Sequence, residues 1–145
     1  KTMEGILVEY RARDRFRLRI RGHELVIDQP KDAGGDDMGP TPTELFVAGL
    51  AGCVGFFAER YLRRHGLPGE GLKVECRFGI SEDRPSRVDN VEVRIFLPAG
   101  FPEERREPLL RVVSKCTVHN TMQQPPPLEI ELVLTDEPVG VSAAV

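Results

Sequence analysis

Three thiols carry the most reactive chemistry in this chain: Cys53, Cys76 and Cys116, set beside three histidines in 145 residues. The thiolate is the form of cysteine that attacks electrophiles and binds soft metals, so the surroundings of each sulfur decide what it does. Cys53 sits in the middle of an apolar run, where a buried structural cysteine and a desolvated nucleophile are both open readings. Cys116 follows one helix-like segment and opens another. Backbone N–H groups at a helix start favour a thiolate, so a cysteine there can have a lowered pKa. His119 lies three residues on, on the same face if that segment is helical, and also reads as a partly exposed polar residue. Cys53, Cys116 and His119 have the donor types of a zinc site, but not the spacing of a known zinc motif. Cys76 alternates with Val74 and Phe78 and reads as core packing.

Charged side chains near a thiol tune it further. Arginine occupies every second position from Arg11 to Arg21, and the chain has 16 Arg against 4 Lys. Most of this comb reads as the solvated face of a sheet, paired with Glu and Asp on neighbouring strands. A single cation beside a cysteine would favour its thiolate. Glu44 belongs to Thr41-Pro42-Thr43-Glu44, a helix-start capping box. Nine residues along a helix is half a turn out of phase, with a rise of about 13 Å, so Glu44 and Cys53 of one helix should not touch.

The elements that must position these groups follow from hydrophobic period. Gly5–Tyr10, Arg11–Arg21 and Glu24–Asp28 read as three strands of an antiparallel meander. Gln29–Pro40 is a Gly- and Asp-rich loop. From the capping box a helix should run to about His65 and stop at Gly66. Its first half is apolar on all sides, which predicts burial on all sides. Ala48, Gly49, Ala51, Gly52 and Gly55 would let another backbone approach. One domain of this size can hardly surround such a helix, so a second copy of the chain is expected to cover it. Strands at Leu72–Ile80 and Asn90–Leu97 come next. A helix over Pro102–Lys115, starting or kinked at Pro108, follows, with a short one at Cys116–Met122. Leu128–Leu134 alternates as a last strand.

Composition removes several classes. A chain of 145 residues, 40% hydrophobic and 30% charged, predicts one domain over 1–145 and is long enough to bury about two thirds of its unfolded surface. Three cysteines are too few, and odd in number, for a disulfide scaffold. A net charge of −3 and the lack of aromatics among the arginines argue against nucleic-acid binding. The longest uncharged stretch, between Glu44 and Glu59, falls short of the roughly 20 residues of a membrane span. The opening residues run straight into a strand, so no signal peptide, no membrane attachment and a cytoplasmic, reducing location are expected. Scarce Asn and Gln fit a thermophile or a GC-rich genome.

Two motifs resemble one known family. Gly39-Pro-Thr-Pro-Thr-Glu-Leu-Phe with Ala48-Gly-Leu-Ala-Gly-Cys53, and Val113-Ser-Lys-Cys116-Thr-Val about sixty residues on, are similar to the two cysteine motifs of the OsmC/Ohr proteins, the osmotically inducible and organic hydroperoxide resistance proteins. The element order agrees over nearly the whole chain. The resemblance implies an α+β fold, with antiparallel sheets around a long buried central helix in an intertwined homodimer. It implies a peroxidase of organic hydroperoxides, with Cys53 as the attacking cysteine and Cys116 as the resolving one. It also implies a thiolate-holding arginine from the N-terminal strands, Arg15 ahead of Arg13, and an external dithiol as reductant. No cofactor or metal belongs to that chemistry. Characterised peroxidases carry a glutamate ten residues before the first cysteine; here Thr43 stands there, with Glu44 the nearby acid. This is the pattern of the broader OsmC-like branch. A binder of small molecules or metal on the same fold, without turnover, is the alternative.

Overall fold

Alternation between arginines and apolar residues builds the N-terminal meander, but with two tight hairpins rather than one long middle strand. The computed structural model describes residues 3–135. In it, β1 (Leu7–Ala12), β2 (Arg15–Ile20) and β3 (His23–Ile27) form one antiparallel sheet in the order β1-β2-β3. The comb therefore breaks at both turns. Arg13 and Arg21 each take a left-handed backbone conformation, at φ 51° and 56°, as tight two-residue hairpins demand. Arg15, Arg17 and Arg19 stay on β2. Arg17 bonds Glu9 at 3.0 Å, and Arg19 lies 3.5 Å from Glu24, so this part of the comb is cross-strand ion pairing, as expected.

Contacts divide the described residues into two units, one running up to residue 45 and joined by those from 128 on, the other residues 46–127. In the first unit, the loop after β3 is organised by a buried carboxylate. Asp28 is 1% exposed. It accepts backbone N–H bonds from Gln29 at 2.7 Å and Met38 at 3.1 Å. Continuing the Phe16↔Ile27 register by one residue sets Arg15 across from Asp28. Gly39 is forced by close approach, because a Cβ there would lie 2.2 Å from the Val26 carbonyl oxygen.

α1 (Pro42–Arg64) starts as its residues require. The Thr41 hydroxyl accepts the Glu44 N–H at 3.1 Å, and a Glu44 carboxylate oxygen accepts the Thr41 N–H at 2.8 Å. It stops before Gly66, which is left-handed at φ 64°. Among the described residues it is the one helix long and apolar enough to cross a membrane by length and composition. Val47, Leu50, Val54, Ala58, Tyr61 and Leu62 are nevertheless buried. Burial on all sides is not what the single chain shows. Phe46, Ala48, Gly49, Gly52 and Phe56 are exposed, and a Cβ added at Gly49 or Gly52 would meet nothing within 4 Å. At Gly55 the approach is real, with Val74 Cγ2 at 3.5 Å from such a Cβ.

The second unit adds the antiparallel pair β4 (Lys73–Ile80) and β5 (Val88–Phe96), then α2 (Arg106–Val113) and α3 (Thr117–Gln123). Pro108 sits in the first turn of α2, where a missing N–H costs nothing. A 3-10 turn at Glu103–Arg105 precedes it. The core joins Leu50, Val54, Ala58 and Tyr61 of α1 to Leu109 and Val113 of α2 and to Cys116. Val74, Cys76, Val91 and Ile95 pack on it from the sheet. The strand expected at Leu128–Leu134 does not form. Leu128, Ile130, Leu132 and Leu134 are 85–97% exposed; alternation marks a strand-competent segment, but a strand needs an edge to pair with.

Burial pushes the Asp28 carboxyl up. The N–H groups of Gln29, Met38 and Asp36 and the charge of Arg15 outweigh it, so its pKa lies below the usual 3.8. In the window below 3.8 the unfolded chain binds the proton and the folded one does not. Asp28 therefore contributes stability that is complete above this value and lost as pH falls through the lowered one. Asp28→Asn is expected to lower the urea midpoint at neutral pH and to flatten its decline between neutral and acid pH. Urea unfolding of both proteins across that range measures it.

Candidate functional site

Cys53 stands on α1 at the edge of the buried stripe, between Leu50 and Val54 on one side and Phe57 one turn on. This half-buried residue packs against the core that contains Cys116. Cys116 is fully buried, at 0% exposure. It holds the junction of α2 and α3: its N–H reaches the Val113 carbonyl at 3.3 Å, and its own carbonyl accepts the Asn120 N–H at 2.9 Å. Its sulfur is the N-cap of α3, accepting the His119 backbone N–H at 3.5 Å. The two sequence motifs thus bring two free thiols together from positions about sixty residues apart.

The electrostatics of Cys116 run against a lowered pKa. Desolvation by burial pushes its thiol up, and the hydrogen-bonding Cys53 thiol beside it pushes in the same direction. The N–H groups of His119 and Val118 pull it down without overcoming these. A helix of seven residues supplies few aligned peptide dipoles, whereas loss of water acts on the whole charge. Cys116 is therefore held as a thiol. Cys76, half-buried on β4, is also pushed up by burial, in keeping with a packing role.

The remaining candidates have defined places. Arg13 is committed to the loop after β3, bonding the Gly34 carbonyl at 2.7 Å and lying 3.3 Å from Asp36. Arg15, half-buried on β2, has Asp28 across from it and no carboxylate in direct ion-pair contact among the described residues. Glu44 spends one carboxylate oxygen on the helix cap. The zinc reading of Cys53, Cys116 and His119 finds no support. Among the described residues no three His, Cys, Asp or Glu side chains converge. His119 offers Cys116 its backbone N–H, while its ring lies 3.4 Å from the Gln123 amide.

That ring borders an apolar cavity of about 310 Å³ among α1, β5, α2 and α3, with Leu50, Val54, Val91, Ile95 and Val113 in its wall. Neither sulfur lines it. Asp28 was missed by sequence reasoning. The available signal was an acid directly before Gln29-Pro30 and a glycine-rich loop, the position from which Asp caps backbone N–H groups.

The family model for OsmC-like protein matches residues 34–131, more than half of the chain; the chain belongs to the OsmC family. Solved structures agree on the fold. A protein assigned to the osmotic stress induced and detoxification response of Psychrobacter arcticus superposes with TM-score 0.74 at 21% identity, covering 83% of this chain and 89% of that one. An OsmC-like protein of Mycoplasma pneumoniae gives 0.72 at 16% identity, over 86% and 89%. An organic hydroperoxide resistance protein of Elizabethkingia anophelis gives 0.63 at 18% identity, over 86% and 91%. No curated protein sequence matches the chain. These likenesses show the shared fold.

Alkylation of Cys116 by iodoacetamide is expected to inflect above the ordinary thiol value of 9.0. Cys53→Ala should lower that inflection only in part, since burial is the larger cause. Mass-resolved alkylation rates across pH check both; an unchanged inflection in the variant would contradict the thiol–thiol interaction.

Proposed function

We propose that this protein is a thiol-dependent peroxidase that reduces organic hydroperoxides in defence against oxidative stress. The observation that carries the reading is the pairing of a partly accessible thiol, Cys53, with a buried one, Cys116. Accessibility sets the order of events. Cys53, as thiolate, attacks the outer oxygen of ROOH. The O–O bond breaks, the released RO⁻ takes up the proton that Cys53 gave up on ionising and leaves as ROH, and Cys53 becomes a sulfenic acid. The Cys116 sulfur then attacks that sulfur as its proton passes to the departing hydroxyl: the S–H and S–O bonds break, an S–S bond forms and water leaves. An external dithiol returns both cysteines to thiols and is itself oxidised to a disulfide.

In the first step Cys116, kept protonated by burial, is a hydrogen-bond donor to the attacking sulfur. In the second it is the nucleophile. The resemblance assigns the thiolate-holding cation to Arg15, with Arg13 spent on its loop. Glu44 keeps one carboxylate oxygen beyond the capping box for a further partner. The reduced state that this cycle needs fits a cytoplasmic setting.

Reduced protein mixed with cumene hydroperoxide is expected to lose two thiols per chain, with Cys53 and Cys116 joined and Cys76 free on peptide mapping. Cys53→Ser should abolish peroxide consumption, and Cys116→Ser should stop the cycle at the sulfenic acid. Consumption that persists in Cys53→Ser would refute the reading. The apolar cavity with neither sulfur in its wall favours a second reading, a small-molecule binder without turnover. Binding of an apolar probe that survives Cys53→Ser, with no peroxide loss in the native protein, would select it.

We further infer that the working form is a homodimer. The open face of α1, with its exposed Phe46 and Phe56 and uncovered Gly49 and Gly52, supports this, as does the alternating exposed segment from Leu128 to Leu134. Light scattering should give twice the chain mass, and Gly52→Leu should shift it toward one chain. A monomer at all concentrations would rule the dimer out.

A further inference from the structure

The end of α1 remote from the capping box gathers positive charge that the thiol chemistry does not use. Arg60 and Arg64 are one turn apart, and His65 follows. Arg105, from the 3-10 turn before α2, reaches into the same group. Its Nη1 donates to the Tyr61 hydroxyl at 3.2 Å and contacts His65 Nδ1 at 2.9 Å. The Tyr61 and His65 rings lie 4.2 Å apart between centroids.

For Arg105 to donate to Nδ1, the imidazole must be neutral, with its proton on Nε2. That leaves one more N–H donor among the arginines. A cavity of about 260 Å³ opens here, lined by Phe57, Arg60, Tyr61, Arg64, His65 and Val112.

Part of the charge at this end is uncompensated among the described residues. Arg63 is 3.5 Å from Glu59 and Arg106 bonds Glu103 at 2.9 Å. Arg60, Arg64 and Arg105 form no ion pair among the described residues. Two like charges one turn apart on a helix are unfavourable by a few tenths of a kcal/mol. The C-terminal dipole of α1 accounts for cations in its last turn. It does not account for Arg60, whose guanidinium is held over the Phe56 ring at 5.2 Å, nor for an arginine brought in from another element.

We propose that this cavity is a binding site for a small organic anion, a phosphate or carboxylate headgroup on an apolar body. Arg60 and Arg64 hold the headgroup through charge-assisted hydrogen bonds, and Phe57 and Val112 pack the body. Arg105 is a positioning residue that fixes Tyr61 and His65. At 260 Å³ the cavity lies below the roughly 300 Å³ where drug-sized pockets begin, so the ligand is one ring or a short chain. The site is independent of the cysteine reading.

Calorimetric titration of the reduced, full-length protein with phenyl phosphate, at low ionic strength, tests it. Saturable binding is expected, tighter than inorganic phosphate and far tighter than benzyl alcohol, with benzoate reporting whether a carboxylate serves as well. Arg60→Gln and Arg64→Gln should each weaken phenyl phosphate by about fivefold or more. Arg63→Gln, the same charge loss one position away, should change it less than twofold, and circular dichroism should show all three folded. The site is refuted if phenyl phosphate binds the native protein no better than benzyl alcohol, or if Arg63→Gln weakens binding as much as Arg64→Gln.

Discussion

The seam between α1 and α2 is the constraint on which the thiol pair depends. Leu50, Val54, Ala58 and Tyr61 form a stripe along α1 that closes on Leu109 and Val113 of α2. Burial of that stripe fixes the rotation of α1 about its axis. Cys53 lies on the flank of the stripe, and Cys116 lies three residues beyond the last buried residue of α2. A slip of one residue in α1 would turn Cys53 by about 100° and carry it away from its partner. The two sulfurs are placed by ordinary core packing.

Two buried titratable groups show how the same desolvation ends in opposite outcomes. Asp28 loses water, yet three backbone N–H groups and the charge of Arg15 stabilise its anion, and its pKa falls. Cys116 loses water as completely, but its N–H partners are a long sulfur contact and a short helix, and its neighbour is another thiol. Its pKa rises. Burial alone predicts neither case. The number and quality of hydrogen bonds offered to the charged form decide between them.

Local signals in the sequence translated well wherever the physics is local. Thr41, Pro42 and Glu44 identify the start of α1 because the cap involves only adjacent residues, and Gly66 marks its end for the same reason. Strand periodicity placed β4 and β5 within two residues at each end. The hairpin at Arg13-Asp14 was hidden because arginine carries no turn preference, so strict alternation read through it. Leu128–Leu134 carried a strand pattern without a strand, since alternation reports amphipathicity and not the presence of a pairing edge. The thiol pair was visible through motif resemblance. The raised pKa of Cys116 was not, because complete burial arises from residues distant in sequence. The Arg105 contact with Tyr61 and His65 joins positions 40 and 44 apart, with no local pattern to announce it.

Cys116 has a second occupation, as the cap of α3. The sulfur that would close a bridge to Cys53 is the acceptor that receives the His119 N–H at 3.5 Å. A bond to Cys53 would replace the S–H hydrogen of the atom that caps α3, and the direction of that bond would set where its lone pairs point toward the His119 N–H. On the proposed cycle, oxidation state and the cap of one short helix would therefore meet at a single atom. α3 also supplies His119, Met122 and Gln123 to the wall of the apolar cavity, so a change of oxidation state at its cap would be felt in that wall.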